Sequence, residues 1–270
     1  GKSVSFNITM IKTYTVTFDS NGGTTLAAIK NVIKNSTLSA LTVPVKEGFS
    51  FEGWYKDSGF VEQWNILSDR VNSDMILYAK WKGVTYTVVF ESNGGTTIAA
   101  ISAVSHGAII SKPADSVKTG YTLENWYKDK ALTAAWDFNI EKVTADMTLY
   151  AKWNIDKFSV KLIINGDNST IETIEGVEYN SLLTKPADPV KTGSTFGGWY
   201  KDFGLTMAWD FAKDRVTNTT ILTAKWISNK YDVIFETNGG TTISAITNVV
   251  YGTTISAVTA PTKKGSKFVG

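Results

Sequence analysis

The fold is decided by YTVVFESNGG (residues 86–95), NWYKD (125–129), AAWDF (134–138) and LYAKW (149–153). The first stretch alternates apolar and polar residues with period two and ends in Asn-Gly-Gly, which predicts a half-buried strand that turns back as a hairpin. NWYKD and LYAKW are interpreted as two further strands, and Leu, Ala and Trp share one face of the second. The alanines before Trp136 favour one or two helical turns there.

These stretches belong to a repeat of about 72 residues. All nine tryptophans fall into three sets with matching spacing. The sets are Trp54, Trp126 and Trp199, then Trp64, Trp136 and Trp209, then Trp81, Trp153 and Trp226. A fixed period of this size predicts a tandem array of small modules, and it has to be recognised before any other feature is interpreted.

The phase of the repeat predicts five segments. They are 1–13 as the tail of an upstream repeat, 14–85 as repeat 1, 86–157 as repeat 2, 158–230 as repeat 3 and 231–270 as a truncated repeat 4. The first segment is assigned from the alternation of Val4, Phe6 and Ile8, which is typical of a strand. We therefore expect the chain to be an excerpt from a longer array.

Two parts of the repeat are harder to assign. Residues 26–33 fit either a strand or a helical turn, and the fourth copy favours a strand because 246–251 is rich in β-branched residues. All five prolines precede the glycines at 48, 120, 193 and 265, which predicts an extended connector with one helical turn. Strands dominate, and the short helical turns make the predicted class α+β.

Composition narrows the functional classes. The net charge is +2 and is spread evenly along the repeats, so the chain has no basic stripe and a nucleic-acid partner is not expected. No apolar run approaches the ~20 residues of a membrane span. The absence of cysteine excludes disulfides, thiolate nucleophiles and Cys-ligated zinc. A module this small then needs large aromatic side chains in its core, so the tryptophans are predicted to be buried.

The polar residues offer few candidates for chemistry. His106 is the only histidine, and without a partner cluster it is interpreted as a surface or structural residue. Asp57, Asp129 and Asp202 recur after Trp-Tyr-Lys, where turn formation is favoured over cation binding. No catalytic residue, metal site or cofactor is predicted.

The best candidates for ligand contact are the tyrosines that follow the first tryptophan of each repeat, Tyr55, Tyr127 and Tyr200. Exposed aromatic pairs can stack on sugars or fill a pocket in a partner protein. The alternative is that each tyrosine only covers the edge of its module. Whether surface aromatics cluster into an exposed patch would separate the two interpretations.

The combination of motifs in residues 86–153, including Lys118-Thr119-Gly120-Tyr121, resembles the Listeria–Bacteroides repeat, the B-repeat module of internalin-type surface proteins. The resemblance covers nearly all of residues 14–270, although the third unit departs from it at Asn165-Gly166-Asp167 and at Thr223. It implies a β-grasp-like unit, a small mixed sheet wrapped on a short helix. It also implies export to a bacterial surface, and it supplies no catalytic or metal residues.

The sequence therefore favours a non-enzymatic stalk or spacer in an extracellular, cell-surface or secreted bacterial protein. In this hypothesis, the partners of each module are the neighbouring repeats of the array. The alternative is an adhesin in which each module carries a weak site for a host surface protein or a glycan, and repetition supplies avidity.

Overall fold

The computed structural model describes residues 2–3, 9–165 and 171–270 of the chain. The predicted upstream strand at Val4, Phe6 and Ile8 lies outside the described residues, as do Gly166 and Asp167 of the third turn.

Each of the first three predicted repeats contains one four-stranded sheet. The strands of repeat 1 are β1 (Thr13–Asp19), β2 (Ile29–Ile33), β3 (Phe49–Tyr55) and β4 (Met75–Gly83). Those of repeat 2 are β5 (Thr85–Glu91), β6 (Ile101–Ser105), β7 (Tyr121–Tyr127) and β8 (Met147–Ile155). Repeat 3 contains β9 (Lys157–Ile163), β10 (Ile171–Glu178), β11 (Ser181–Leu182), β12 (Ser194–Tyr200), β13 (Arg215–Val216) and β14 (Thr220–Ser228).

The sheet of repeat 1 has the order β2-β1-β4-β3. Its central strands β1 and β4 are parallel, with Val16 opposite Met75, and both outer strands run antiparallel to their neighbours. Repeats 2 and 3 have the equivalent orders β6-β5-β8-β7 and β10-β9-β14-β12. The prediction of strand-dominated modules in tandem is confirmed, and residues 26–33 contain the strand that the fourth copy favoured.

The predicted α+β class is wrong, because the described residues contain strands and turns but no helix. After Trp64 the chain makes a single turn in which the amide of Asp69 donates to the carbonyl of Asn65 at 2.8 Å. The alanine-rich stretch before Trp136 forms no helix because Leu132 has a φ of 57° and the amide of Ala134 donates to the carboxylate of Asp129. A local side-chain acceptor has replaced the carbonyl that a helix would use.

The inner face of each sheet is covered by irregular chain. In repeat 1, Leu38 and Pro44 of the connector are buried against the sheet together with Trp64 and Val71. The connector is extended as predicted but makes no helical turn, because Pro44 restricts the backbone before it and Asn35 has a φ of 69°. One layer of coil therefore lies where a helix was expected.

Each of the first three repeats has its own cluster of buried residues. Val16, Leu77 and Val71 are fully buried in repeat 1, and their equivalents are fully buried in repeats 2 and 3. The first two tryptophans of each repeat are buried as predicted, and the third is half-buried. Aromatic side chains pack edge to face, as between Phe90 and Trp126, whose ring centroids are 5.0 Å apart.

The fourth repeat has only the hairpin of β15 (Lys230–Val233) and β16 (Ile246–Val250). A cavity of about 550 Å³ in this repeat is lined by residues that include Phe235, Val258 and Pro261. In repeats 1 and 2 the equivalent phenylalanines, Phe18 and Phe90, pack on the first tryptophan. The chain divides into two compact units. The first consists of Gly1–Lys118 together with Leu123–Trp153, and the second consists of Thr119–Thr122 together with Asn154–Gly270.

We predict that Trp136→Ala lowers the free energy of unfolding of repeat 2 by about 3–5 kcal/mol, because it removes a side chain that is 3% exposed from a core without disulfides. Urea unfolding followed by the fluorescence of the other tryptophans measures this change. Ile140→Ala, at a side chain that is 69% exposed, is the control and should have little effect. Equal unfolding curves for the two variants would contradict a structural role for Trp136.

Candidate functional site

The three candidate tyrosines lie at equivalent positions, at the ends of β3, β7 and β12. In repeat 1, Tyr55 pairs with Tyr78 of β4 on the face of the sheet opposite the buried core. In repeat 3, Tyr200 pairs with Thr223. Tyr127 is 7% exposed, and Tyr55 and Tyr200 are half-buried. Ligand contact by these residues stays a prediction.

A lysine covers one face of each of these rings. The Nζ atoms of Lys80, Lys152 and Lys225 lie 4.9, 5.1 and 4.9 Å from the ring centroids of Tyr55, Tyr127 and Tyr200. These lysines come from the Ala-Lys-Trp motif of the last strand, one position before the third tryptophan. A ligand that stacks on the tyrosine would have to displace the lysine or use the other face of the ring.

Repeats 1 and 2 add a carboxylate to this pair. In repeat 1, Oε2 of Glu52 lies 3.7 Å from Nζ of Lys80. In repeat 2, the hydroxyl of Tyr127 donates to Oε1 of Glu124 at 2.7 Å, and Nζ of Lys152 donates to the same oxygen at 2.9 Å. Nζ of Lys152 also donates to the hydroxyl of Tyr127 at 3.4 Å. The bonds to Glu124 and to Tyr127 raise the pKa of Lys152, so the ammonium form is favoured. Glycine occupies the equivalent position 197 in repeat 3, so repeat 3 lacks this carboxylate.

The recurrent aspartates form the turn that the sequence favoured. Asp57 accepts hydrogen bonds from the amides of Gly59, Val61 and Glu62 at 3.0, 3.1 and 2.9 Å. In repeat 2, Asp129 accepts from the amides of Thr133 and Ala134 at 3.2 and 2.7 Å. The bond from Ala134 makes the largest contribution to lowering the pKa of Asp129 below its ordinary value of 3.8.

The lysine between the tyrosine and the aspartate is also used inside the repeat. Lys56, Lys128 and Lys201 lie 5.8, 6.0 and 5.5 Å from the ring centroids of Trp64, Trp136 and Trp209. Each also forms an ion pair, with Asp69, Glu141 and Asp214 respectively. The Trp-Tyr-Lys-Asp motif therefore has a structural use for each of its four side chains.

The Asn-Gly-Gly turn is tied to the third tryptophan, which the sequence did not reveal. Asn93 has a φ of 47°, and its side-chain amide donates to the carbonyl of Ala151 at 2.7 Å. The indole of Trp153 donates to the carbonyl of Ser92 at 2.9 Å and lies across Gly95. Nζ of Lys118 donates to the carbonyl of Asn93 at 3.0 Å. The sequence contained one sign of this contact, namely the lysine that recurs directly before Thr-Gly or Glu-Gly.

His106 lies at the boundary between repeats 1 and 2. Its Nδ1 is 3.3 Å from the hydroxyl of Tyr86 and its Nε2 is 3.4 Å from Oε1 of Glu47. Among the described residues, no group of three or more His, Asp and Glu side chains could hold a metal ion. No helix in the described part of the chain is long and apolar enough to span a membrane.

Comparison with known families agrees with the repeat found in the sequence. The family model described as the Listeria–Bacteroides repeat domain matches residues 14–80, 86–152, 158–225 and 231–270. The chain belongs to the Listeria–Bacteroides repeat family. The resemblance predicted from the motifs of residues 86–153 is thereby confirmed.

Several relatives of this Listeria–Bacteroides repeat chain occur in bacteria. Two proteins of Evansella cellulosilytica, provisionally named a Gly-rich membrane protein and a membrane protein, are each 41% identical to it over 96% and 84% of this chain. Internalin H of Listeria monocytogenes is 36% identical over 48% of the chain. The chain spans 29%, 34% and 23% of the length of these relatives.

We predict that Gly95→Ala destabilises repeat 2 by about 1–3 kcal/mol, because a Cβ at this position would overlap Oγ of Ser116 and lie 2.5 Å from Cζ2 of Trp153. Gly83→Ala is the matched control, since a Cβ there meets nothing within 4 Å. Thermal unfolding of the two variants measures the difference. A Gly95→Ala variant as stable as Gly83→Ala would show that the indole does not pack on this turn.

The Asp129 turn predicts a pH dependence. The pKa of Asp129 is lower in the folded repeat than in the unfolded chain, so ionised Asp129 stabilises the fold above the unfolded value near 3.8. This contribution is lost as the pH falls through the folded pKa. We therefore expect Asp129→Ala to lower the Tm at pH 7, and the deficit relative to the unsubstituted chain to shrink below pH ~3.8.

The control for this prediction is Asp115→Ala, which removes a surface carboxylate paired with Lys112 at 2.6 Å. Its effect on the Tm at pH 7 should be small. Melting curves for both variants from pH 7 to pH 2 make the comparison. A deficit of Asp129→Ala that is the same at every pH would contradict the role assigned to its ionised carboxylate.

Proposed function

We propose that this segment is a non-enzymatic spacer in a bacterial cell-surface protein, where consecutive repeats hold other parts of the protein away from the cell. The observation that carries the proposal is that the recurrent polar side chains are used to hold each repeat together. Asp129 caps backbone amides, Lys128 covers Trp136, and Asn93 ties its turn to β8. The repeated chemistry is therefore explained by folding alone.

We further propose that each repeat is a β-grasp-like unit in which the extended connector takes the place of the short helix. The support is the mixed sheet, with β1 and β4 parallel at its centre and antiparallel strands outside them. Leu38 and Pro44 of the connector cover the inner face of this sheet. A spacer built in this way needs only a sheet and a coil that closes over it.

The second candidate function is adhesion through the outer face of each sheet. This face carries Tyr55 beside Tyr78, and next to them Ile76 is 45% exposed. In repeat 3, Ile221 is 42% exposed at the position equivalent to Ile76. An aromatic ring beside exposed aliphatic side chains is a surface that a glycan or a host protein could contact.

Two measurements on the same chain distinguish the two functions. A spacer should be elongated, so small-angle X-ray scattering of the whole chain should give a radius of gyration clearly above the ~18 Å of a compact domain of this length. The same chain is then tested on glycan and host-protein arrays beside the triple variant Tyr55→Ser, Tyr127→Ser and Tyr200→Ser. A radius near ~18 Å would contradict the spacer, and binding that the triple variant loses would favour the adhesin.

A further inference from the structure

Successive repeats are joined by a single residue between strands. Val84 is the only residue between the end of β4 at Gly83 and the start of β5 at Thr85. Asp156 separates β8 from β9, and Asn229 separates β14 from β15. A linker of one residue leaves two repeats little freedom to move relative to each other. Each linker residue also forms backbone hydrogen bonds on both sides.

At the first boundary, Val84 makes two backbone hydrogen bonds. Its amide donates to the carbonyl of Gly48 in the preceding repeat at 2.9 Å. Its carbonyl accepts from the amide of His106 in the following repeat at 3.1 Å. The linker therefore connects a glycine turn of one repeat to a ring-bearing residue of the next.

The same two bonds occur at the last boundary. The amide of Asn229 donates to the carbonyl of Gly193 at 2.9 Å, and the amide of Tyr251 donates to the carbonyl of Asn229 at 2.9 Å. The three equivalent residues of the second boundary, Gly120, Asp156 and Tyr179, all belong to the second compact unit and form bonds of 2.9 and 2.8 Å.

A planar ring lies on the glycine at each boundary. Gly48 has a φ of 76°, and a Cβ built on it would be 2.8 Å from Cδ2 of His106. A Cβ on Gly120 or Gly193 would overlap the ring of Tyr179 or Tyr251. Glycine is therefore required at this position for two reasons. The backbone is left-handed, and the ring packs on a Cα that carries no side chain.

The ring is also held from its own repeat. The ring centroids of His106 and Tyr86 are 5.9 Å apart, and those of Tyr251 and Tyr231 are 6.3 Å apart. Tyr86 and Tyr231 are each the second residue of the first strand of their repeat. Tyr86 packs against the core of repeat 2. Tyr231 and Tyr251 are 52% and 51% exposed, so in repeat 4 the ring is held by its tyrosine neighbour on the hairpin.

We propose that the glycine turn before the third strand is a docking surface for the following repeat, and that the ring at the position of His106, Tyr179 and Tyr251 is the group it receives. The ring shields the two backbone bonds of the linker from water and fixes the joint. The partner that fits this surface is a repeat with a planar side chain at this position. Repeat 1 carries Lys34 there, so it lacks the ring that a preceding repeat would receive.

The inference rests on the proposed spacer function, because the use of a fixed joint is to keep an array of repeats extended. Its geometry is independent of that function. The test measures hydrogen exchange at the linker amides, whereas the spacer is tested by the dimensions of the chain. A failure of one can therefore be distinguished from a failure of the other.

The experiment is hydrogen–deuterium exchange of the whole chain carrying His106→Ala or Tyr251→Ala. We expect exchange at the amide of Val84 to rise about tenfold in His106→Ala, and exchange at the amide of Asn229 to rise about tenfold in Tyr251→Ala, the factor equivalent to about 1.4 kcal/mol. Each variant should affect only its own joint. Tyr251→Phe keeps the ring and should leave the exchange at Asn229 unchanged.

The matched control is Lys34→Ala, at the same position of repeat 1, where the side chain packs on none of the glycines described. It should change no linker amide. Unchanged exchange at Val84 and Asn229 in the alanine variants would overturn the proposal. Faster exchange that extends equally to the amides of Trp136 and other core residues would also overturn it, because the ring would then belong to the core of its repeat and not to the joint.

Discussion

A backbone hydrogen bond between the two buried tryptophans of each repeat is the interaction on which the rest of the structure depends. The amide of Trp64 donates to the carbonyl of Trp54 at 2.8 Å, and the equivalent bonds in repeats 2 and 3 have the same length. The bond returns the chain along the outer edge of β3, so the second indole reaches the core and the edge is no longer open for pairing with another chain. The opposite edge strand β2 is short and contains Asn31 at a φ of 60°, which interrupts regular pairing there.

The free energy gained by burying the tryptophans exceeds the cost of the polar groups that burial leaves without hydrogen-bond partners. The indole N–H groups of six tryptophans are buried and have no hydrogen-bond partner among the described residues. Each unpaired N–H costs about 1–3 kcal/mol, whereas burial of ~200 Å² of aromatic surface contributes about 5 kcal/mol. The balance favours burial in a repeat that has no disulfide to stabilise it. The third tryptophan, half-buried near the surface, keeps its hydrogen bond to a backbone carbonyl, as Trp81 does to Ser20.

The sequence predicted what depends on local pattern and missed what depends on contacts across the repeat. The strands, the Asn-Gly turn and the buried tryptophans follow from alternation and spacing, and they were predicted. The helical turn before Trp136 was predicted from the alanines, but the carboxylate of Asp129 captures the amides that a helix needs, and Leu132 is forced to a positive φ. The three tyrosines could be placed on strands, yet nothing in the local pattern showed that Lys152 covers the ring of Tyr127.

These contacts change where specific binding should be sought. A residue that recurs in each repeat and also holds the fold together is already explained, so its recurrence is no sign of a ligand site. Positions that differ between repeats are not required by the fold that the repeats share. Glu124 bonds Tyr127 and Lys152 in repeat 2, and Glu52 pairs with Lys80 in repeat 1. Glycine occupies this position in repeat 3. The loop of repeat 3 exposes Phe203 and Met207, at 68% and 56%, where repeat 2 has Lys130 and Ala134. If the array recognises partners beyond its own repeats, the physical differences that would distinguish one repeat from another lie in these variable side chains.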